Sequence, residues 1–289
     1  MKDALIVTAL SVVPKNLVAR LMGHGTRLRL PSFLHKALVG WFVRKYGVNL
    51  DECEGGIEDY PSLAQFFVRP LKAGVRPVEA DPDILVSPVD AVVHTFGAIH
   101  KGNFLQYDGK PSSVPALLGG GDPRLPDLHP DLAARYEGGS FAVLYLSPKD
   151  YHRVHSPEAG RITTIRYLPG MLWPVFPAAT RKIDNLFARN ERLVFELETE
   201  RFGTIAEVMV GAFGVGRMST LLDPIITNTG GAEVALKPQA TVERAGEIGR
   251  FEMGSTVILC LEPGRIEWTI KPGQPVRLGR PIARRRVAG

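Results

Sequence analysis

The sequence predicts an α+β fold, an N-terminal helical portion followed by a mainly antiparallel β body. Two observations carry this reading. Residues 1–50 place apolar side chains at helical spacing, with a break around Gly23 to Arg27. From "ILVSPVDAVVHTFGAI" onward the texture changes to short apolar runs divided by Gly, Pro and Asp. The 30 Gly and 23 Pro of the 289-residue chain exceed what a helical bundle carries, and 45% hydrophobic residues suffice for a sizeable core. The expected division is a helical segment 1–59 and a catalytic domain 60–289.

Taken in order, Ala4 to Val13 is an apolar run that Pro14 and Lys15 end well short of the roughly 20 residues that span a bilayer. It has a thin positive start and no clear cleavage site, so export is not expected. The stretch "PSFLHKALVGWFVRKYG" sets Leu34, Leu38, Trp41, Phe42 and Tyr46 at helical spacing among Lys36, Arg44 and Lys45. That pattern suits a helix lying in a membrane interface, and equally a helix packed on the protein's own core. "YPSLAQFFVRPLKAGVRPV" reads as a short helix ending at Pro70. "SFAVLYLSP", "RITTIRYLPG", "ERLVFELETERFG", "IAEVMVGAFGVG" and "STVILCLEPG" read as strands bounded by turns, and the segment "KPSSVPALLGGGDPRLPDLHPDLAARY" as a loop or short-helix insertion.

Net charge is 35 − 30 = +5, with basic excess around Arg27, Arg29, Lys36, Arg44 and Lys45 and again in the tail from Arg277 to Arg286. Such an excess serves an anionic surface or a solvated end. Two distant cysteines, Cys53 and Cys260, provide no disulfide framework.

Three polar clusters interrupt the strands: Asp90 in "SPVDAVV", His152 and His155 in "SPKDYHRVHSP", and Gly254-Ser255-Thr256 in "GRFEMGSTVILC". A His-x-x-His pair supplies only two of the three or more protein ligands that zinc needs, so no metal is expected. Asp90, His155 and Ser255 permit a serine hydrolase that never cleaves itself, although no G-x-S-x-G elbow is present. The turn-rich ending "LEPGRIEWTIKPGQPVRLGRPI" also permits a non-catalytic, carrier-like β module, without the lysine signature of one.

In combination, these stretches with "LPGMLWPVFP", "NLFARNERLVFELETERFG" and "VMVGAFGVG" resemble the phosphatidylserine decarboxylase family from about Tyr60 through Leu261. The pairing of "DYHRVHSP" with "GRFEMGSTVI" is specific. Three positions depart from the family pattern: Ala91 for Gly, Met253 for Leu and Phe176 for Asn, the last bearing on substrate recognition.

The resemblance implies that Ser255 attacks the Gly254 carbonyl, so that the chain splits into 1–254 and 255–289 with a pyruvoyl group at position 255 as the covalent cofactor. That carbonyl would form a Schiff base with the serine amine of phosphatidylserine and serve as the electron sink for decarboxylation to phosphatidylethanolamine. It implies His155 as the base for self-cleavage with Asp90 orienting it, and His152 as the acid that protonates carbon after CO₂ leaves. The implied partners are phosphatidylserine in an anionic membrane surface and the chain's own second cleavage product, with a dimer of that pair as a further assembly and no nucleic acid. The implied location is peripheral, on the cytoplasmic face of the cell membrane. Membrane docking then falls to the amphipathic helix, through Leu38, Trp41 and Phe42, and to "LPGMLWPVFP".

Overall fold

The computed structural model describes residues 14–107, 110–119, 132–175, 177–214, 217–223, 225–229, 231–252 and 256–286. The Ala4–Val13 run lies outside these residues. The first helix, Lys15–Arg27, continues through Gly23 and Gly25. The break comes slightly later, at Leu28–Pro31, because Pro31 disfavours helical backbone at the residue before it. The second helix, Ser32–Tyr46, ends at Gly47, whose φ of 72° is the left-handed conformation that closes helices. A third, Leu63–Phe67, is capped by the Ser62 side chain accepting from the Gln65 N–H and stops ahead of Pro70. No helix among the described residues is long and apolar enough to cross a membrane.

The second helix packs its Val39–Phe42 side against Tyr60, Phe66 and Phe67 in a small core of its own. Phe42 is only 5% exposed and lies edge-on to Phe66 and Phe67, so this residue is core and not the membrane contact expected of it. Its neighbour Trp41 is 47% exposed, and Leu38 is half-buried. The helical spacing of apolar residues mixed two faces: positions 39 and 42 face the protein, and 34 and 41 face outward.

The body is a nine-stranded antiparallel sheet. From one edge it runs Gly160–Leu168, Arg192–Thr199, Gly203–Val210, Thr256–Leu261, Ser140–Tyr145, Ala91–Ala98 and Pro275–Val276. Val234–Leu236 and Ala240–Val242 both pair along the outer side of Gly160–Leu168. Thr256–Leu261 is paired along its whole length on both sides, with Thr256 opposite both Tyr145 and Val210, and all six residues are buried. A strand in that place has no solvent face, which is why "TVILCL" is a continuous apolar run without alternation. Two three-stranded sheets flank the large one. One orders Met218–Thr220, Glu247–Phe251 and Arg153–His155, and the other Ile84–Val86, Pro281–Arg285 and Ile266–Trp268. The turn-rich ending is therefore no separate carrier module, because its strands pair with Ile84–Val86 and Ala91–Ala98. The insertion holds a strand, Lys110–Ser113, and two short helices, Val114–Leu118 and Leu132–Arg135.

Candidate active site

The two histidines and the strand that precedes the Gly-Ser-Thr step are far apart in sequence but paired in the fold. Glu247–Phe251 runs antiparallel to Arg153–His155, with Glu247 opposite His155 and Arg250 opposite Arg153. The Phe251 N–H donates to the His152 carbonyl at 2.9 Å. The chain then leaves this small sheet at Glu252 and enters the centre of the large sheet at Thr256. Met253, Gly254 and Ser255 lie outside the described residues, as does Phe176. The flanking residues form a seam between the two sheets: Phe251 is hydrogen-bonded to the His152 carbonyl, and Thr256 opens the central strand.

His155 is buried, and its backbone N–H donates to the Pro88 carbonyl at 3.0 Å, which brings the strand against the Ser87–Asp90 turn. Its Nδ1 lies 2.8 Å from the Ala245 carbonyl and its Nε2 3.3 Å from the Tyr151 hydroxyl. A carbonyl only accepts, so the ring proton sits on Nδ1 and the Nε2 lone pair is left to take a proton. Burial pushes the His155 pKa down, while the Ala245 contact and the charges of Glu247 and Asp90 push back.

Asp90 is buried in the same region, but its hydrogen bonds go elsewhere. Arg76 meets both of its oxygens, Nε to Oδ1 at 2.9 Å and Nη2 to Oδ2 at 2.5 Å, and the Leu278 N–H donates to Oδ1 at 2.9 Å. The same guanidinium reaches Glu52 at 2.6 Å, and Arg277 approaches Asp90 at 3.6 Å. A planar guanidinium offers two parallel donors to a carboxylate, whereas the one imidazole N–H of His155 is taken by Ala245. Asp90 thus acts on His155 through its field, and the Ala245 carbonyl sets the ring's tautomer. A cavity of about 180 Å³ lies here, lined by Arg76, Asp90, Asp150, Tyr151 and Arg277 among others. Arg76 and Tyr151 were legible only as members of "KAGVRPV" and "DYHRVH", since nothing in a lone Arg or Tyr announces its partner.

His152 is completely buried, with its ring against Phe67 at a centroid distance of 4.0 Å. Its Nδ1 lies 2.8 Å from the Asp150 carbonyl, and its Nε2 is buried with no hydrogen-bond partner among the described residues. Burial, reinforced by the Arg69 charge, pushes its pKa down to about 3, against the opposing pull of the Asp150 carbonyl. In this enclosure it is a neutral base, not a protonated acid in waiting.

This has a consequence for stability. The unfolded chain takes up protons near the ordinary histidine value of 6.5, while the folded His152 refuses one until about 3. The unfolded state therefore binds more protons in that window, and stability should fall as pH falls through it, by up to about 1.4 kcal/mol per pH unit for each such proton. Urea unfolding at stepped pH measures the slope, and His152→Gln should flatten it. A wild-type slope equal to that of the variant would show that His152 takes up its proton without unfolding.

An apolar cavity of about 190 Å³ is lined by Phe42, Tyr46, Phe67, Tyr145, Val175 and Phe213 among others, and Phe67 separates it from His152. Phe67 is the ring that covers His152, and Tyr145 pairs with Thr256, so the cavity lies beside the seam. Of "LPGMLWPVFP", Leu172 and Trp173 are buried and Val175 lines this cavity, whereas Met171 is exposed. The Lys15 ammonium sits 3.8 Å above the Trp173 ring, which ties the first helix to that loop. No group of three or more His, Cys, Asp or Glu side chains suited to a metal occurs among the described residues.

Comparison with known proteins gives one answer along the whole length. The family model described as phosphatidylserine decarboxylase matches residues 63–284. The chain is 44% identical over 289 residues to a phosphatidylserine decarboxylase proenzyme of Anaeromyxobacter sp. (strain K), covering 98% of this chain and 99% of that one. A proenzyme of the same name from Myxococcus xanthus (strain DK1622) is 41% identical over 286 residues, with 98% and 99% covered. Another from Brevibacillus brevis is 37% identical over 280 residues, with 95% and 96% covered. With Arg153–His155 paired to Glu247–Phe251, the strand that leads toward the Gly-Ser-Thr step in sequence, and these relatives matching end to end, the chain is an enzyme and belongs to the phosphatidylserine decarboxylase family.

Proposed function

We propose that the enzyme removes the serine carboxylate of phosphatidylserine as CO₂, leaving phosphatidylethanolamine, after breaking its own Gly254–Ser255 bond. The observation that carries this reading is the seam: the chain around Gly254 passes from the strand beside His152 and His155 into the centre of the large sheet. The Ser255 hydroxyl replaces its own amide nitrogen on the Gly254 carbonyl carbon and gives its proton to Nε2 of His155, which stands neutral for that purpose. The Asp90 and Glu247 charges favour the imidazolium that results. The ester then loses the Gly254 carboxylate as the Ser255 α-proton is removed, and water releases the nitrogen as ammonia.

A pyruvoyl group at position 255 supplies the carbonyl that holds the substrate amine and takes up the electrons left by CO₂. The described residues near the seam fit it: a buried histidine nitrogen with no partner among the described residues, and an apolar cavity whose lining includes Phe67 and Tyr145. We assign to Nε2 of His152 the delivery of a proton to carbon after CO₂ departs, a proton it holds only during turnover because burial keeps it neutral at rest. Residues such as Phe67, Tyr145 and Phe213 exclude water from the reacting carbon.

The substrate reaches the site from a bilayer. Leu17, Leu21, Leu28, Phe33, Leu34 and Trp41 are exposed on the first two helices and the link between them, with Lys36, Arg44 and Lys45 among them. Such an apolar and basic surface suits peripheral attachment to an anionic membrane, here assigned to the cytoplasmic face. The two cleavage products remain together as a heterodimer.

The test is intact-mass analysis of the recombinant protein. The expected result is two chains, 1–254 and 255–289, the smaller lacking the mass of ammonia relative to a serine-initiated peptide. A single unprocessed chain that decarboxylates phosphatidylserine would overturn the proposal.

A further inference from the structure

A separate cavity, of about 350 Å³, lies against the same cleavage segment and is lined by Arg27, Arg29, Arg217, Arg250, Glu252 and Gln65 among others. The arginines come from three places in the chain. Arg27 ends the first helix and Arg29 follows it, Arg217 precedes the strand Met218–Thr220, and Arg250 lies in the strand leading to Glu252. Pairing of these strands assembles them: Ser219 stands opposite Arg250, and the Glu252 N–H donates to the Arg217 carbonyl at 2.9 Å.

The charges do not balance. Arg27 forks onto one oxygen of Glu252, from Nε at 2.8 Å and Nη2 at 2.5 Å, and Arg250 pairs with the Glu247 carboxylate. Arg29 and Arg217 have no acid partner among the described residues. Four guanidinium groups around this space have one lining carboxylate, Glu252, and a share of Glu247, which also pairs with Arg153; they repel one another, and a tetrahedral anion with several acceptor oxygens is the ligand that relieves this. The rim identifies the source of that anion. Leu28, between Arg27 and Arg29, is 60% exposed; Leu221 and Ile226 are also exposed, Ile226 bridging to Ser219. A basic recess with an apolar rim suits a headgroup whose acyl chains stay in the bilayer.

We propose that this cavity seats the phosphate of a second, non-substrate anionic phospholipid. It is not the substrate's site, because its one lining acid, Glu252, is held by Arg27 instead of facing a substrate ammonium. Because Glu252 lies two residues before Gly254, a headgroup bound here fixes the reactive segment toward the membrane. The inference rests on the bilayer docking proposed above.

The test uses the processed enzyme, an Arg29→Gln/Arg217→Gln variant, and an Arg44→Gln/Lys45→Gln control that removes as much charge from the second helix. Calorimetry with glycerophosphoglycerol, the deacylated headgroup of phosphatidylglycerol, should show one saturable site per molecule in the wild type and the control. Affinity should fall by about tenfold or more in the cavity variant, and Arg217→Lys should retain most of it. Phosphatidylcholine vesicles carrying phosphatidylglycerol should be bound more weakly by the cavity variant than by the control. Equal losses in the two variants with no saturable headgroup binding would reduce the cavity to part of a diffuse field and overturn the proposal. Saturable inorganic phosphate binding with vesicle affinity unchanged in the cavity variant would reassign the site to a soluble anion. A wild type that ignores vesicles but binds the headgroup would overturn the docking reading and leave the anion site standing.

Discussion

Replacing Ser255 by alanine is expected to leave one chain of 289 residues with no decarboxylase activity. Alanine has no oxygen to attack the Gly254 carbonyl, and without that attack no carbonyl arises at position 255 to hold the substrate amine. The fold should survive, because Thr256–Leu261 takes its hydrogen bonds from Ser140–Tyr145 and Gly203–Val210, neither of which depends on the cut. A denaturing gel with intact-mass analysis reads the cleavage, and urea unfolding confirms that the uncut protein is folded. If the alanine variant still yields two chains at this position, the nucleophile is another group.

The second large effect separates two histidines three residues apart. His155→Ala should remain uncleaved and therefore inactive, since it removes the base whose Nε2 lone pair would take the serine proton. His152→Ala should be cleaved normally and then decarboxylate slowly, by a factor on the order of 10²–10⁴ as for loss of a general acid–base group. The processing gel and a phosphatidylserine turnover assay, run on both variants, decide the matter. Normal cleavage in both would remove His155 from the role of base. Asp90→Ala needs a stability measurement beside it, because the carboxylate stands between Arg76 and Arg277 and its loss leaves a buried guanidinium short of a partner.

Much of the fold was legible because its signals are local. "TVILCL" could be read as a buried strand from its composition, and "ERLVFELETERFG" and "IAEVMVGAFGVG" as strands bounded by turns, which became Arg192–Thr199 and Gly203–Val210. The break between the first helices was misplaced because two glycines weaken a helix without ending it, while Pro31 ends it. Phe42 was assigned to the wrong face because its burial depends on Phe66 and Phe67, more than twenty residues on. The site residues Asp90, His152 and His155 came from the family pattern, and what the pattern does not carry is their pairing. The Arg76 fork on Asp90 and the Ala245 carbonyl on His155 join segments 14 and 90 residues apart, a distance over which periodicity says nothing.

The placement of Thr256–Leu261 has a consequence for the life of the molecule. The segment from 256 to 286 supplies an interior strand of the large sheet, two strands of a flanking sheet and the edge strand Pro275–Val276. A fragment so interwoven cannot dock onto a finished partner, so folding has to be complete while the chain is still continuous. Under the proposed cleavage that tether is lost, and recovery from unfolding becomes a second-order encounter of two peptides that depends on concentration. On that proposal the uncut chain is a template used once: a severed backbone records that the molecule reached the native state, and one that later unfolds in dilute solution loses the route back.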